Sequence, residues 1–308
     1  MLVIVVLLVV AAVWVWWTYP RVGNLLFALI AAVEAKRARL KEVPVAIGRM
    51  TLATYQGGTR DKAPPLLLIH GFSADKGVWF GFARHFTQDY HVVIPDLAGH
   101  GKNLFQHGAD YSIAAQAQRL IELLDECGID AAHVVASSMG AYVATWLAVH
   151  HPERVVSLAL IGPVGVLLPQ PNEVEELVNQ GDNPFLIHSR AQFDRFFSMT
   201  MASAPWIPEV LLAAEAQAYI ERRDQLAEIF SDFSGSPRLE PWLKDVHVPT
   251  LLLWGREDRM APIASASTWT QGIAHAQLVC MDGVGHLPMI EQTEQTVARY
   301  REFLTSQA

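Results

Sequence analysis

Three hydrophobic rhythms follow one another along the chain. Residues 1 to 19, MLVIVVLLVVAAVWVWWTY, carry no charge. A helix of about 20 apolar residues spans the roughly 30 Å of a bilayer core. Trp14, Trp16, Trp17 and Tyr19 gather at the end of the run, where an interfacial aromatic belt lies in membrane helices. The stretch from Gly23 to Val33 is apolar again and leads into Glu34-Ala35-Lys36-Arg37-Ala38-Arg39-Leu40-Lys41, a helical pattern with a basic end. From Val45 the rhythm shortens into strands.

Val45–Gly48 and Thr51–Tyr55 read as a hairpin, with Gly57-Gly58 turning after it. Continuous apolar runs follow at Leu66–Ile69, Val92–Ile94, Val134–Val135, Val155–Ile161, Thr250–Trp254 and Gln277–Met281. Helical patterns separate them at Lys76–Thr87, Ile113–Cys127, Ala141–His150, Pro262–Gly272 and Thr293–Ser306. Apolar strands alternating with helices predict an α/β fold, a mostly parallel sheet with helices on both faces. One interval breaks the rhythm: more than eighty residues between Ile161 and Val248 show helical patterns and no strand. The expected organisation is a transmembrane anchor over 1–20, a juxtamembrane helix over 21–44, a core over 45–164 and 238–308, and a helical cap over 165–237.

The N-terminal run has a rival reading as a cleaved signal peptide, which needs a basic start and small residues at a cleavage site. Met1 leads straight into the apolar run and bulky aromatics end it, so an uncleaved single-pass anchor is expected. The localisation that follows is a cell membrane, read as a bacterial inner membrane. Lys and Arg on the C-terminal side favour a cytoplasmic body, but large domains cross regardless of charge, and the side stays open. The basic end of the second helix suits anionic headgroups. Ala28 with Ala32, and Ala31 with Ala35, are spaced for close helix packing, so a homodimer through this region is one expectation and ordinary alanine-rich helix the other.

Composition narrows the function classes. The formal net charge is −8 and no basic stripe lies outside residues 36–41, so nucleic acid is not an expected partner. The two cysteines, Cys127 and Cys280, make no disulfide framework. No His-Glu-x-x-His, no paired cysteine spacing and no glycine-rich phosphate loop is present, so neither a metal nor a cofactor is expected.

In open parallel sheets ligands sit beyond the C-terminal strand ends. The chemistry-bearing residues of this chain gather there. After Val134–Val135 comes Ala136-Ser137-Ser138-Met139-Gly140 and then a helical pattern, the strand–turn–helix layout of a nucleophile elbow. The turn needs small residues two before and two after the serine. Ala136 and Gly140 meet this for Ser138, whereas Val135 and Met139 are too large to serve Ser137. A serine that merely caps the helix is the bland alternative. The other strand ends carry His70-Gly71-Phe72-Ser73, Asp96-Leu97-Ala98-Gly99-His100, Gly255-Arg256-Glu257-Asp258 and Asp282-Gly283-Val284-Gly285-His286. A serine hydroxyl needs a base, and the base needs a group that fixes its tautomer. Ser138, Asp258 and His286 supply these in the order Ser, Asp, His.

With these motifs the chain from about residue 45 to 308 resembles the α/β-hydrolase superfamily. The resemblance implies Ser138 as nucleophile, His286 as base, Asp258 rather than Glu257 as the orienting acid, and the amides of Phe72 and Met139 as oxyanion donors. It assigns His70 and His100 structural roles at the oxyanion turn, and Asp96 a loop-fixing role. The anchor, the stretch from His70 to Trp79 and the Ser138-Met139-Gly140 turn are similar to membrane-anchored monoacylglycerol lipases and bacterial lipases. Acylglycerols or (lyso)phospholipids are the substrates this implies. Phe193, Phe197 and Met201 in the cap are candidate acyl-chain contacts, or else the cap's own packing face. A small-ester carboxylesterase, a carbon–carbon bond hydrolase and a catalytically silent scaffold are the alternatives.

Overall fold

The central apolar runs are strands that bury both of their faces, whereas the edge run Gln277–Met281 leaves Gln277 and Leu278 exposed. The computed structural model describes residues 2–60, 63–168 and 171–307, without the side chains of 2, 3, 8–18, 20 and 21. Helix α1 (Leu2–Arg37) precedes a hairpin of β1 (Leu40–Ile47) and β2 (Met50–Gly57). Next come β3 (Pro65–Ile69), a 3-10 turn at Lys76–Trp79, the single-turn α2 (Phe80–Ala83), β4 (His91–Pro95), α3 (Ile113–Glu126), β5 (Ala132–Ser137), α4 (Met139–His150) and β6 (Val155–Ile161). Four helices follow: α5 (Glu173–Asn179), α6 (Arg190–Thr200), α7 (Glu209–Glu221) and α8 (Arg223–Ser234). The chain closes with β7 (Thr250–Gly255), α9 (Ala266–Gly272), β8 (Gln277–Met281), α10 (Pro288–Glu291) and α11 (Thr293–Ser306).

The strands form one sheet in the order β1-β2-β4-β3-β5-β6-β7-β8. Only β1–β2 and β2–β4 pair antiparallel; β4, β3, β5, β6, β7 and β8 run parallel. Alternate residues of the central strands serve opposite faces. Leu67, Ile69, Val134, Ala136, Leu158, Leu160, Leu252 and Trp254 enter one core, with residues of α3, α4 and the α5–α8 segment. Leu66, Leu68, Val135, Ala159, Ile161, Leu251 and Leu253 enter the other, with α2 and α11. Helix α4 is apolar all round and buried from Met139 to Thr145, as a helix covered by neighbours must be.

The N-terminal region differs from expectation in three ways. Helix α1 is continuous through Pro20, and it ends at Arg37 rather than near residue 44. Residues 40–44, expected in the juxtamembrane helix, belong to β1, where Val43 O accepts from Thr54 Oγ1 at 2.6 Å. The alternating Glu42-Val43-Pro44-Val45 finds a strand partner there, which outweighs helical extension. Ala35 and Ala38 are buried in the chain's own second core and Ala31 packs against it. That removes one of the two alanine pairs expected to carry a homodimer; Ala28 and Ala32 stay exposed. Most side chains of the run 1–20, where the anchor is expected, lie outside the described residues. Among the described residues no helix is long and apolar enough to cross a membrane.

The second half of α1 crosses α7, with Gly23 against Val210 and Ala214. Val22, Leu25, Leu26, Leu29, Ile30 and Val33 remain exposed along one helical stripe. Helices α5–α8 lie over the sheet's C-terminal side. Phe193, Phe196, Met199, Tyr219, Leu226 and Ile229 join the first core, and Asp232 and Ser236 accept the amides of Tyr111 and Ile113.

Candidate active site

Strand β5 ends at Ser137, which is buried in the sheet, and Ser138 stands half-buried at the tip. Ser138 has φ 53° and ψ −121°. A residue with a Cβ avoids this region unless its surroundings impose it. Here they do: Ser138 N donates to Ile161 O at 2.9 Å, and Ala141 N and Tyr142 N bond back to Ser138 O at 3.0 and 3.2 Å. Gly140 is required because a Cβ there would lie 2.7 Å from Ile69 O and closer still to His70 O. Ala136 departs from G-x-S-x-G, yet its methyl group points into the core and is fully buried.

The neighbouring strand end brings in the base. Gly162 follows β6 with φ 49°, and a Cβ on it would lie 2.9 Å from Asp258 Oδ2 and 3.0 Å from His286 Nδ1. His286 Nδ1 and Asp258 Oδ2 are 2.7 Å apart, both side chains buried. The other Asp258 oxygen accepts the amides of Met260 at 2.9 Å and Ala261 at 2.8 Å. A carboxylate so held is an acceptor, so His286 Nδ1 donates and Nε2 keeps its lone pair for a hydroxyl. His286 N donates to Thr200 O at the end of α6 (3.0 Å), tying the base to the segment above the sheet. Glu291 adds a second tie, accepting the amides of Gly285 at 3.0 Å and of Ala202 at 2.8 Å.

The rival groups are occupied elsewhere. Glu257 Oε2 accepts Val284 N at 3.0 Å and so supports the loop before His286. Asp96 is paired with the Lys76 ammonium. His70 Nδ1 donates to Gly71 O (2.8 Å) while Nε2 accepts from Leu97 N (2.9 Å). His100 donates Nδ1 to Ala98 O at 3.1 Å. Burial pushes the pKa of both rings down, that of His100 to about 3, so both are neutral at ordinary pH.

Gly71 sits beside Ser138: a Cβ on it would lie 3.6 Å from Ser138 Oγ. The His70 bond to Gly71 O fixes the peptide plane that also carries the Phe72 N–H. Met139 opens α4, so its amide has no partner within the helix and lies at the positive end of the helix dipole. Gly71, which precedes Phe72, and Met139 thus both border Ser138. The candidate acyl contacts divide. Phe193 is 1% exposed, stacks on Phe197 (centroids 5.9 Å) and meets Tyr219 edge-on (5.7 Å) within the α6–α7 layer. Met201 instead borders Gly285, next to His286. The rings around Phe72 are Phe185, Phe230 and Phe233, at 5.1, 5.7 and 6.0 Å. Sequence reasoning missed Gly162, Glu291 and the Phe230–Phe233 pair. The Gly-Pro directly after a predicted strand was the available signal for the first.

Residues 66–299 match the model of the alpha/beta hydrolase family. The chain belongs to that family and is a serine hydrolase. It is similar to Lipase 1 of Psychrobacter immobilis, 32% identical over 271 residues that cover 86% of this chain and 83% of that protein. Monoacylglycerol lipase abhd6-A of Xenopus laevis is 26% identical over 265 residues, covering 82% and 78%. Among solved structures, the crystal structure of a membrane phospholipase A, a bacterial virulence factor, superposes with a TM-score of 0.90 at 34% identity, covering 99% of this chain and 97% of that one.

Proposed function

We propose that the protein is a membrane-anchored carboxylic-ester hydrolase of acylglycerols or (lyso)phospholipids, with Ser138 as nucleophile. The observation that carries this reading is the His286–Asp258 bond at 2.7 Å beside the strained Ser138 turn. His286 Nε2 takes the Ser138 proton as Oγ attacks the ester carbonyl. The oxyanion accepts from the Phe72 and Met139 amides; one such donor is worth about 3 kcal/mol of barrier. The tetrahedral intermediate collapses, His286 gives its proton to the departing alcohol, and an acyl-Ser138 ester remains. His286 then takes a proton from water, whose oxygen attacks the acyl carbon, and Ser138 leaves with that proton. Asp258 holds the tautomer and stabilises the charged ring throughout.

Three observations support a lipid substrate. The relatives are named as lipases and phospholipases. The oxyanion turn is walled by phenylalanines. The exposed stripe from Val22 to Val33 continues the charge-free run 1–19, an anchor that keeps the enzyme at its substrate. In this reading 1–20 is the anchor, 40–164 with 238–308 the hydrolase core, and 165–237 the cap over the acyl site, where Met201 lines the entrance.

The test is hydrolysis of monoacylglycerols and lysophospholipids of graded acyl length by the full chain in mixed micelles. We expect kcat/KM to rise at least about tenfold from acetyl to medium and long chains, as apolar burial dictates. Equal or better turnover of acetyl esters contradicts the lipid assignment. The anchor predicts retention of the full chain in membranes washed at alkaline pH, and release contradicts it. Pairing of two juxtamembrane helices through Ala28 and Ala32 is excluded if cross-linking in membranes yields monomer alone.

A further inference from the structure

Outside the nucleophile, base and acid, one buried polar contact joins the helical segment 165–237 to the oxyanion turn. Tyr219, on α7, is buried, and its hydroxyl lies 3.0 Å from Ser73 Oγ and 3.4 Å from Ser73 O. Ser73 follows Phe72, whose amide is an oxyanion donor in the reading above. Ser73 has φ 61°, and among the described residues only Arg39 and Ser138 share a positive φ without being glycine. A side chain in that region persists only when its neighbours hold it. On the other side of Phe72, His70 pins the Gly71 carbonyl at 2.8 Å. The turn is therefore clamped before Phe72 from within the core and after it from α7. Helix α7 is in turn backed by α1 at Gly23.

We propose that Tyr219 is a positioning residue for the oxyanion hole: its hydroxyl holds Ser73 left-handed and so keeps the Phe72 amide aimed at the developing oxyanion. The inference rests on the assignment of Ser138 and Phe72 made above. A buried tyrosine needs some partner. This one binds both the side chain and the carbonyl of a strained residue adjoining the donor, which anchoring the helix alone does not require. The hydroxyl acts on the transition state through Ser73, so its loss falls on kcat and leaves substrate binding alone.

Three variants of the full chain test this with p-nitrophenyl butyrate: Tyr219→Phe, Ser73→Gly and the double variant. Glycine accepts the left-handed φ without strain, so Ser73→Gly frees the turn without a clash, and its thermal midpoint falls no further than that of Tyr219→Phe. We expect each single variant to lower kcat about tenfold with KM within about twofold, and the double variant to lose no more than either single one. An unchanged kcat, a loss confined to KM, or a kcat loss in Tyr219→Phe that Ser73→Gly does not share overturns the proposal. Labelling of the wild type by a fluorophosphonate separates the two claims. Labelling at Ser138 with unchanged variant kcat sinks the clamp alone, whereas labelling elsewhere sinks the site assignment and the clamp with it.

Discussion

Two carboxylates, Asp96 and Asp258, sit just past strands of the same sheet, both buried and both taking backbone amides. Asp96 Oδ1 accepts Lys76 N at 2.9 Å and Oδ2 accepts Lys102 N at 2.8 Å; Asp258 takes Met260 and Ala261. What differs is the partner. Asp96 faces the Lys76 ammonium, a permanent charge with no free face, so its pair fixes the loop that carries Leu97 and His100. Asp258 faces His286, a ring with a second nitrogen, and in the proposed mechanism that nitrogen takes the Ser138 proton. Under the proposed mechanism, similar burial and similar hydrogen bonding serve structure in one place and chemistry in the other, and the partner decides which.

The comparison breaks or sharpens under substitution. Asp258→Asn should cost the largest factor, about ten-thousandfold in kcat, because an amide opposite Nδ1 favours the wrong tautomer. Its thermal midpoint should stay near that of the wild type. Asp96→Asn should do the reverse: it strands a buried ammonium and costs about 3–5 kcal/mol of stability in denaturant titration. A stable Asp96→Asn, or an active Asp258→Asn, would erase the distinction. Gly162→Ala places a methyl against the Asp258–His286 bond and forces φ 49° on a residue with a Cβ. About a hundredfold loss of kcat, read with a short ester, is expected from displacing the pair.

A further effect concerns acid. His100 is neutral in the fold, its pKa lowered to about 3 by burial, the neighbouring His70 adding to the effect. The unfolded chain binds the proton near pH 6.5, so the stability His100 contributes is complete above that pH. It is lost as pH falls through the window toward 3, at up to about 1.4 kcal/mol per pH unit. His100→Gln should flatten that acid limb in urea titrations at stepped pH, and an unchanged slope would show that other groups set it.

The legible part of this molecule is the part built on backbone. Val155–Ile161, Gln277–Met281 and Thr293–Ser306 form their elements where the hydrophobic pattern places them: burial on both faces makes the central runs continuous, while the edge strand and the last helix each bury one side. Ser138, Asp258 and His286 were readable because a tight elbow and strand-end loops constrain residue type locally. The rest depends on contacts between distant segments. Nothing local marks Phe193 as internal packing of the α6–α7 layer, Ala35 as a core residue, or Tyr219 as the partner of Ser73. The hairpin extension to Leu40 was hidden for the same reason: the strand exists because β2 is there to pair with it.

The proposed mechanism requires one atom, Ser138 Oγ, to be made nucleophilic by His286. Reaction of the full chain with a fluorophosphonate, followed by peptide mapping, tests this most directly. The adduct should sit on Ser138, vanish in Ser138→Ala and persist in Ser137→Ala. An adduct on Ser137, or labelling that survives Ser138→Ala, would contradict the assignment.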